Sequence, residues 1–285
     1  MPLRPVSRGV DECRLRCGGH GFSKASGLPA ISNYYHAQRI VEGDHVILCL
    51  QTARFLFRRY ADFQAKRPSF EYFAFDRVRA DADIDNAETQ LQLFGLRAKH
   101  LIAATSARIK TEEAAGADAF EVQNRSMVAR VRMVEAHCRF VILRDFVLGV
   151  QTALQEGKVD KSTAKVLRKL RAVFALHEIA DCSGDFLEAE LMSPAMVAEA
   201  RELLLKHLRE LRTEAVALCD AWAHPDFLLN SCLGRFDGRV YEALFEFATK
   251  SPLTQKVLAG GHMPGFEESV LPLLNGEFMQ RIASL

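Results

Sequence analysis

Three features in the first sixty residues carry the residue types and spacing that chemistry needs: the run Cys17-Gly18-Gly19-His20-Gly21, the carboxylate Glu42 at a Glu-Gly step, and Gln51-Thr52-Ala53-Arg54-Phe55-Leu56 just beyond. The glycine run offers closely spaced backbone N–H groups with no side chains in the way, a surface suited to a pyrophosphate or an adenine. It is not a G-x-G-x-x-G fingerprint and follows no strand pattern, which argues against a Rossmann site. Glu42 stands in a glycine-interrupted loop ahead of a helical pattern, where a carboxylate can project into a cleft and act as a base. Read alone, the same residue is also what an ordinary surface carboxylate looks like, just as the glycine run alone is also an ordinary loop.

Together, these three motifs resemble a stretch of the peroxisomal acyl-CoA oxidases, in which Cys-Gly-Gly-His-Gly precedes a catalytic glutamate and Gln-Thr-Ala-Arg-Phe-Leu runs down the following helix. Further stretches carry the likeness along the chain: VRMVEAHCRFVIL at Val131–Leu143, GDFLEAELM at Gly184–Met192, and LGRFDGRVYEALFEFATKSPLT at Leu233–Thr254. It runs from about Val10 to about Thr254.

The resemblance implies an enzyme that oxidises acyl-CoA to trans-2-enoyl-CoA with FAD and passes the electrons to O₂, giving H₂O₂. Glu42 would be the base that takes the α-proton, and Gly18, Gly19 and Gly21 would touch FAD held mainly by the partner subunit of a homodimer. In that family the matching segment lies past the middle of a longer chain, so a flavin-binding part is expected outside these residues, upstream or as a separate polypeptide. The sequence departs from the family at Ser32, where a tyrosine is usual, at Val41, where an aromatic precedes the base, and at Asp44-His45, where Glu-Asn is usual. These departures motivate the alternative, a non-catalytic helical scaffold or dimerisation module derived from that family.

Helical periodicity dominates the elements that must position these residues. After Asp44, a plausible N-cap, Val46, Cys49, Leu50, Ala53, Phe57 and Tyr60 form one apolar stripe. The pattern breaks at Arg67-Pro68 and turns aromatic and then acidic up to Asn86. It returns as Leu91, Phe94, Ala98, Leu101, Ile102 and Thr105, then as Met127, Val128, Val131, Val134, Cys138, Val141 and Ile142, predicting two long antiparallel helices. Further helices are expected over about 162–180, 194–221 and 238–249. The fold class is therefore all-α: two helical bundle domains over 1–66 and 87–285, with 67–86 as linker.

With 285 residues the chain can bury a substantial core, and its net charge of +1 gives no general attraction to nucleic acid or anionic membrane. Its seven cysteines are odd in number and scattered, with no C-x-x-C pair, so they read as reduced thiols and no metal site is expected. His137 beside Cys138 reads as core packing, and the basic series Lys158, Lys161, Lys165, Arg168, Lys169 and Arg171 as a solvated helix face. No run approaches the ~18 to 20 apolar residues that span a bilayer, and the N-terminus lacks a secretory signal, so an intracellular location is expected. The family implies the peroxisome, and Ala283-Ser284-Leu285 is a degenerate form of its targeting tripeptide.

Overall fold

The computed structural model describes residues 3–41, 43–79 and 81–276; Glu42 and the tripeptide 283–285 lie outside them. All regular structure among the described residues is helical. They form two compact units, one of Gln38–Ala221 and one of Pro5–Ala37 with the chain from Trp222 onward.

The chain opens with α1 (Leu3–Arg16), α2 (Leu28–Val41) and α3 (His45–Gln64), of which α3 lies in the larger unit. The larger unit is then built on α4 (Ala87–Ala114), α5 (Ala119–Gln155), α6 (Lys161–Asp181), α7 (Ser183–Glu188) and α8 (Pro194–Leu211). Five of the long helices, α3 to α6 and α8, start where a short polar side chain meets otherwise orphaned N–H groups. Asp44 accepts from Val46 and Ile47, Asn86 from Glu88 and Thr89, Asp118 from Glu121, Asp160 from Thr163, and Ser193 from Met196 with Pro194 in the first turn. The core joins Cys49, Ala53 and Leu56 of α3, Leu93, Phe94, Ala98 and Ile102 of α4, Met133, Phe140 and Leu143 of α5, and Leu176 and Ile179 of α6.

Several sequence expectations change here. Residues 67–86, read as the linker, fold around a short 3₁₀ turn, Glu71–Ala74, whose Tyr72 and Phe73 are fully buried, and Ile84 is buried as well. Gly95 makes room for this segment, since a Cβ there would stand 2.7 Å from Cβ of Tyr72 and 2.8 Å from the ring of Phe75. On α5 the expected stripe is misplaced at its start. Val128 is 81% exposed, while Met133, His137, Phe140 and Leu143 face inward. This helix is packed by α3, α4 and α6, so no single apolar face describes it. The helix expected over 194–221 breaks at Leu211 into a 3₁₀ turn, Arg212–Glu214, and α9 (Ala215–Asp220).

Arg171 also leaves the solvated face assigned to it. It donates to Oε1 of Gln90 at 2.6 Å and to the carbonyl of Asp85 at 3.0 Å, and burial pulls its guanidinium below the usual arginine range. His207 closes the same corner against both carboxylate oxygens of Asp85 at 2.9 Å.

The GDFLEAELM stretch proves to be an anchor. Asp185 accepts from Nε of Arg97 at 2.6 Å and from Nε of Arg132 at 2.7 Å, and Glu178 meets Arg97 at 3.1 Å and Arg139 at 3.2 Å. The guanidinium of Arg97 lies 5.4 Å from the ring centre of Phe186. Four charged helices are thereby fixed in one register, because each buried charge is satisfied only in that arrangement.

The smaller unit contains α1, the start of α2, and the C-terminal helices α10 (Asp226–Leu229), α11 (Val240–Thr249), α12 (Pro252–Leu258) and α13 (Leu271–Leu274).

Candidate active-site segment

The glycine run folds as a 3₁₀ turn over Gly18–Phe22, directly after α1. Gly18 has φ +58°, in the left-handed region, and a Cβ at Gly18 or Gly19 would meet nothing within 4 Å. Both residues therefore present bare, accessible backbone. Gly21 is different: a Cβ there would fall 1.9 Å from the carbonyl oxygen of Arg14, so its glycine is demanded by packing.

Arg14 is the strut of this turn. Its carbonyl accepts from the N–H of Cys17 at 3.2 Å, its Nε donates to the carbonyl of Gly21 at 2.8 Å, and its guanidinium lies 4.8 Å from the ring centre of Phe22.

Downstream, Ser23 and Ser26 bond local backbone, and Gly27 turns the chain at φ +73° into α2. The C-terminal stretch braces this exit. The N–H of Cys232 donates to the carbonyl of Ala25 at 2.7 Å, Oγ of Ser231 donates to the carbonyl of Ser26 at 2.5 Å, and a Cβ on Gly27 would come within 3.1 Å of the carbonyl of Leu229. The Gly-Arg-Phe-Asp-Gly run that follows is tied by two aspartates, one ahead of it and one within it. Asp226 accepts from the N–H of Phe236 and Asp237 from the N–H of Arg239, both at 3.0 Å, and the Arg235 guanidinium beside Asp237 holds its carboxyl down at about 2.

Ser32, one of the departures noted above, is buried and donates to Oδ1 of Asp11 on α1 at 2.8 Å. His36, one turn on, places Nε2 at 3.3 Å from the other oxygen of Asp11. Serine, histidine and aspartate meet here, but Nδ1 of His36 bonds the backbone carbonyl of Ser32 at 2.8 Å. Oγ of Ser32 also lies 3.4 Å from Nδ1 of His36, but that nitrogen bonds a backbone carbonyl and so carries a proton, leaving it unable to take the hydroxyl's, and the group clamps α1 to α2 instead of activating a nucleophile.

Glu42 itself lies outside the described residues. On one side of it Val41 is 66% exposed; on the other Gly43 has φ +118° and Asp44 caps α3, accepting from Val46 at 2.8 Å. The next residue, His45, holds the start of α3 against α5 through Nε2 and Oε1 of Glu135 at 3.1 Å.

His137 and Cys138 do not form a thiol–imidazole pair. Nδ1 of His137 meets the hydroxyl of Tyr72 at 3.1 Å, burial pushes the imidazole down to about 4, and burial raises the Cys138 thiol. A cleft of 930 Å³ opens beside the first turn of α8, over Leu187, Leu191, Met192 and Met196, and none of the candidate residues lines it. Among the described residues no group of three His, Cys, Asp or Glu could hold a metal ion, and no helix is long and apolar enough to cross a membrane.

Arg14, Asp11 and Asp185 were not singled out by sequence reasoning. An arginine three residues ahead of a glycine run is a visible signal, whereas the partners of Asp11 and Asp185 lie 21 and 53 to 88 residues away and leave none.

Comparison with known proteins gives a consistent assignment. Residues 86–275 match the family model described as acyl-CoA oxidase, and residues 4–57 match that of the acyl-CoA oxidase C-alpha1 domain. The chain is 33% identical over 267 residues to peroxisomal acyl-coenzyme A oxidase 1 of Cavia porcellus, covering 88% of this chain and 39% of that protein. It is 33% identical over 284 residues to peroxisomal acyl-coenzyme A oxidase 2 of Rattus norvegicus, covering 95% and 40%. Among solved structures, acyl-CoA oxidase 1 of Arabidopsis thaliana superposes with a TM-score of 0.85 at 28% identity, over 96% of this chain and 42% of that one. Acyl-CoA oxidase-1 of Caenorhabditis elegans, complexed with FAD and ATP, gives 0.86 at 26% identity over 96% and 41%. The chain thus spans about two fifths of the length of the relatives it matches.

Proposed function

Since the chain belongs to the acyl-CoA oxidase family, we propose that it works as the helical C-terminal portion of an FAD-dependent acyl-CoA oxidase, acting on acyl-CoA in fatty acid β-oxidation. The observation that carries this reading is the turn at Gly18–Phe22, inside the C-alpha1 match, where Gly18 and Gly19 leave backbone open to a dinucleotide. In this reading FAD, when bound, supplies the hydride acceptor and the route by which electrons reach O₂.

The chain's own residues do the rest. The Glu42 carboxylate takes the proton from the α-carbon of the acyl thioester while hydride leaves the β-carbon, so one C=C bond forms and trans-2-enoyl-CoA and H₂O₂ are the products. Directly after Glu42 in sequence, Asp44 caps α3 and His45 is held to α5. Gly18 and Gly19 lie against the cofactor of a partner subunit. Gly21 supports the turn from behind, pressed against the carbonyl of Arg14. The flavin ring and much of the acyl-CoA would be bound by a part of the enzyme outside these residues. The relatives named peroxisomal support a peroxisomal location, and the reading takes the chain as one half of a homodimer, because it sets the glycine turn against a partner subunit's cofactor.

The test is reconstitution of the chain with the flavin-binding region of a related oxidase. Acyl-CoA should bleach the flavin and generate peroxide, and Glu42→Gln should slow bleaching by about 10²-fold or more. Unchanged bleaching in the Glu42→Gln protein would remove Glu42 from the mechanism. The second reading, a non-catalytic scaffold, is favoured by Ser32, whose hydroxyl is committed to Asp11 at a position where the family has a tyrosine. It requires that no reconstituted form produce peroxide.

A further inference from the structure

We infer that Arg14 is the cation of the glycine turn, holding its shape through Gly21 while its terminal nitrogens meet a phosphate of the flavin dinucleotide. This rests on the reading of that turn as an FAD contact and adds the charge that reading lacks.

Bare backbone N–H groups can receive an anion, but by themselves they offer only partial charges. The formal charge must come from a side chain at the same place. Arg14 is half-buried, and its Nε is spent on the carbonyl of Gly21 at 2.8 Å. Its stem and plane are fixed a second time by Phe22, itself 64% exposed, with the guanidinium 4.8 Å from the ring centre. Nη1 and Nη2 have no hydrogen-bond or ion-pair partner among the described residues, although Arg16, two residues on, is paired with Glu12 at 3.6 Å.

An arginine pinned at Nε but open at both terminal nitrogens has lost most of its rotamer freedom already, so it forms charge-assisted bonds with little further ordering. That is a poor use of the residue if its task were only to hold Gly21, for which any single N–H donor would serve. It suits a diphosphate, because the free edge of the guanidinium presents two parallel donors to two oxygens. The neighbouring Gly18 and Gly19 leave space for the ligand to approach.

Two readouts separate shape from charge: hydrogen exchange of the amides over 18–23 in the full chain, and FAD uptake by the full chain supplied with the flavin-binding region of a related oxidase. Arg14→Gln keeps an N–H donor toward Gly21 and removes the charge. It should leave exchange near the parent value and weaken FAD at least tenfold. Gly19→Val adds bulk where the structure has open space and serves as the check on the turn itself. Uptake weakened by Gly19→Val but untouched by Arg14→Gln would overturn the role of Arg14 and leave the turn standing. Uptake untouched by both, or absent in the parent protein, would overturn the turn as an FAD contact and this inference with it. If Arg14→Gln also loosens exchange across the turn, Arg14→Lys decides. Recovery of FAD by the lysine supports a charge contact, and a lysine protein as weak as the glutamine one leaves Arg14 a structural strut only.

Discussion

Replacing Asp185 by alanine removes the one carboxylate shared by Arg97 and Arg132. The side chains of Arg97 and Asp185 are both only 5% exposed, so Arg97 cannot turn to water when its partner goes. Deleting one member of a buried pair costs about 3–5 kcal/mol, because the surviving charge is left desolvated. Here the lower end applies: Arg97 keeps Glu178 at 3.1 Å, and Arg132, half-exposed, keeps Glu188 at 3.3 Å. For a cooperative unit of this size, about 3 kcal/mol lowers the melting temperature by roughly 6–12 °C, which thermal denaturation followed by far-UV circular dichroism would read directly. A second variant sharpens the test. Arg97→Met with Asp185→Leu removes both charges and restores apolar volume, while Glu178 keeps Arg139 at 3.2 Å, and such replacements of buried pairs are often neutral. The double variant should therefore recover more than half of the loss. A single variant that melts within about 1 °C of the parent, or a double variant no better than the single, would refute the view that uncompensated charge is what hurts.

Other substitutions probe other parts of the structure. Gly21→Ala forces a Cβ to 1.9 Å from a backbone oxygen and breaks the Arg14–Gly21 contact, so limited proteolysis within 14–23 should accelerate clearly, whereas Gly19→Ala, with open space around it, should digest like the parent. Gly95→Ala overpacks α4 against Tyr72 and Phe75 and should cost about 1–3 kcal/mol in urea denaturation, with a lowered midpoint and an unchanged slope. His137 is held neutral by burial, with its folded value pushed down to about 4 from 6.5, so the unfolded chain binds the proton first and stability is lost as pH falls from 6.5 toward 4. That loss amounts to about 3 kcal/mol over the window. His137→Gln should flatten the dependence of melting temperature on pH between 6.5 and 4, and a dependence unchanged in that variant would show that other groups carry it.

What the sequence revealed and what it hid follow different physics. Helix starts were legible because capping is local: Asp44 serves N–H groups two and three residues ahead, and nothing distant alters that. The stripe of α4 was legible because most of its apolar positions, from Leu93 to Thr105, are covered together. On α5 the same reasoning failed at Val128, since three neighbouring helices bury different faces of one long rod and the period no longer marks a single side. Residues 67–86 read as a linker for a related reason. An aromatic run without period looks unstructured, yet Tyr72 is buried against His137 and Phe140 of α5 and Phe73 against Tyr60 and Phe63 of α3, contacts that a window over 67–86 does not contain.

The candidate site divides along the same line, and that division says what kind of evidence each part needs. Glycine at 18, 19 and 21 announces backbone exposure, but sequence alone assigns the three equivalent roles. Geometry separates them, since two face open space and the third is pressed against Arg14. The charge that an anionic cofactor would need is written as an arginine in α1 just ahead of the glycine run, and so is Arg16, which is tied to Glu12. Only the Nε contact with Gly21 shows which of the two is built into the turn. A glycine motif therefore marks where a ligand can approach, while the side chain that would make the approach favourable is identified by what it has already given up to hold its place. Substituting Arg14 and Arg16 in parallel by glutamine tests that distinction: FAD uptake should fall with the first and remain with the second, and equal losses would reduce both to general electrostatics.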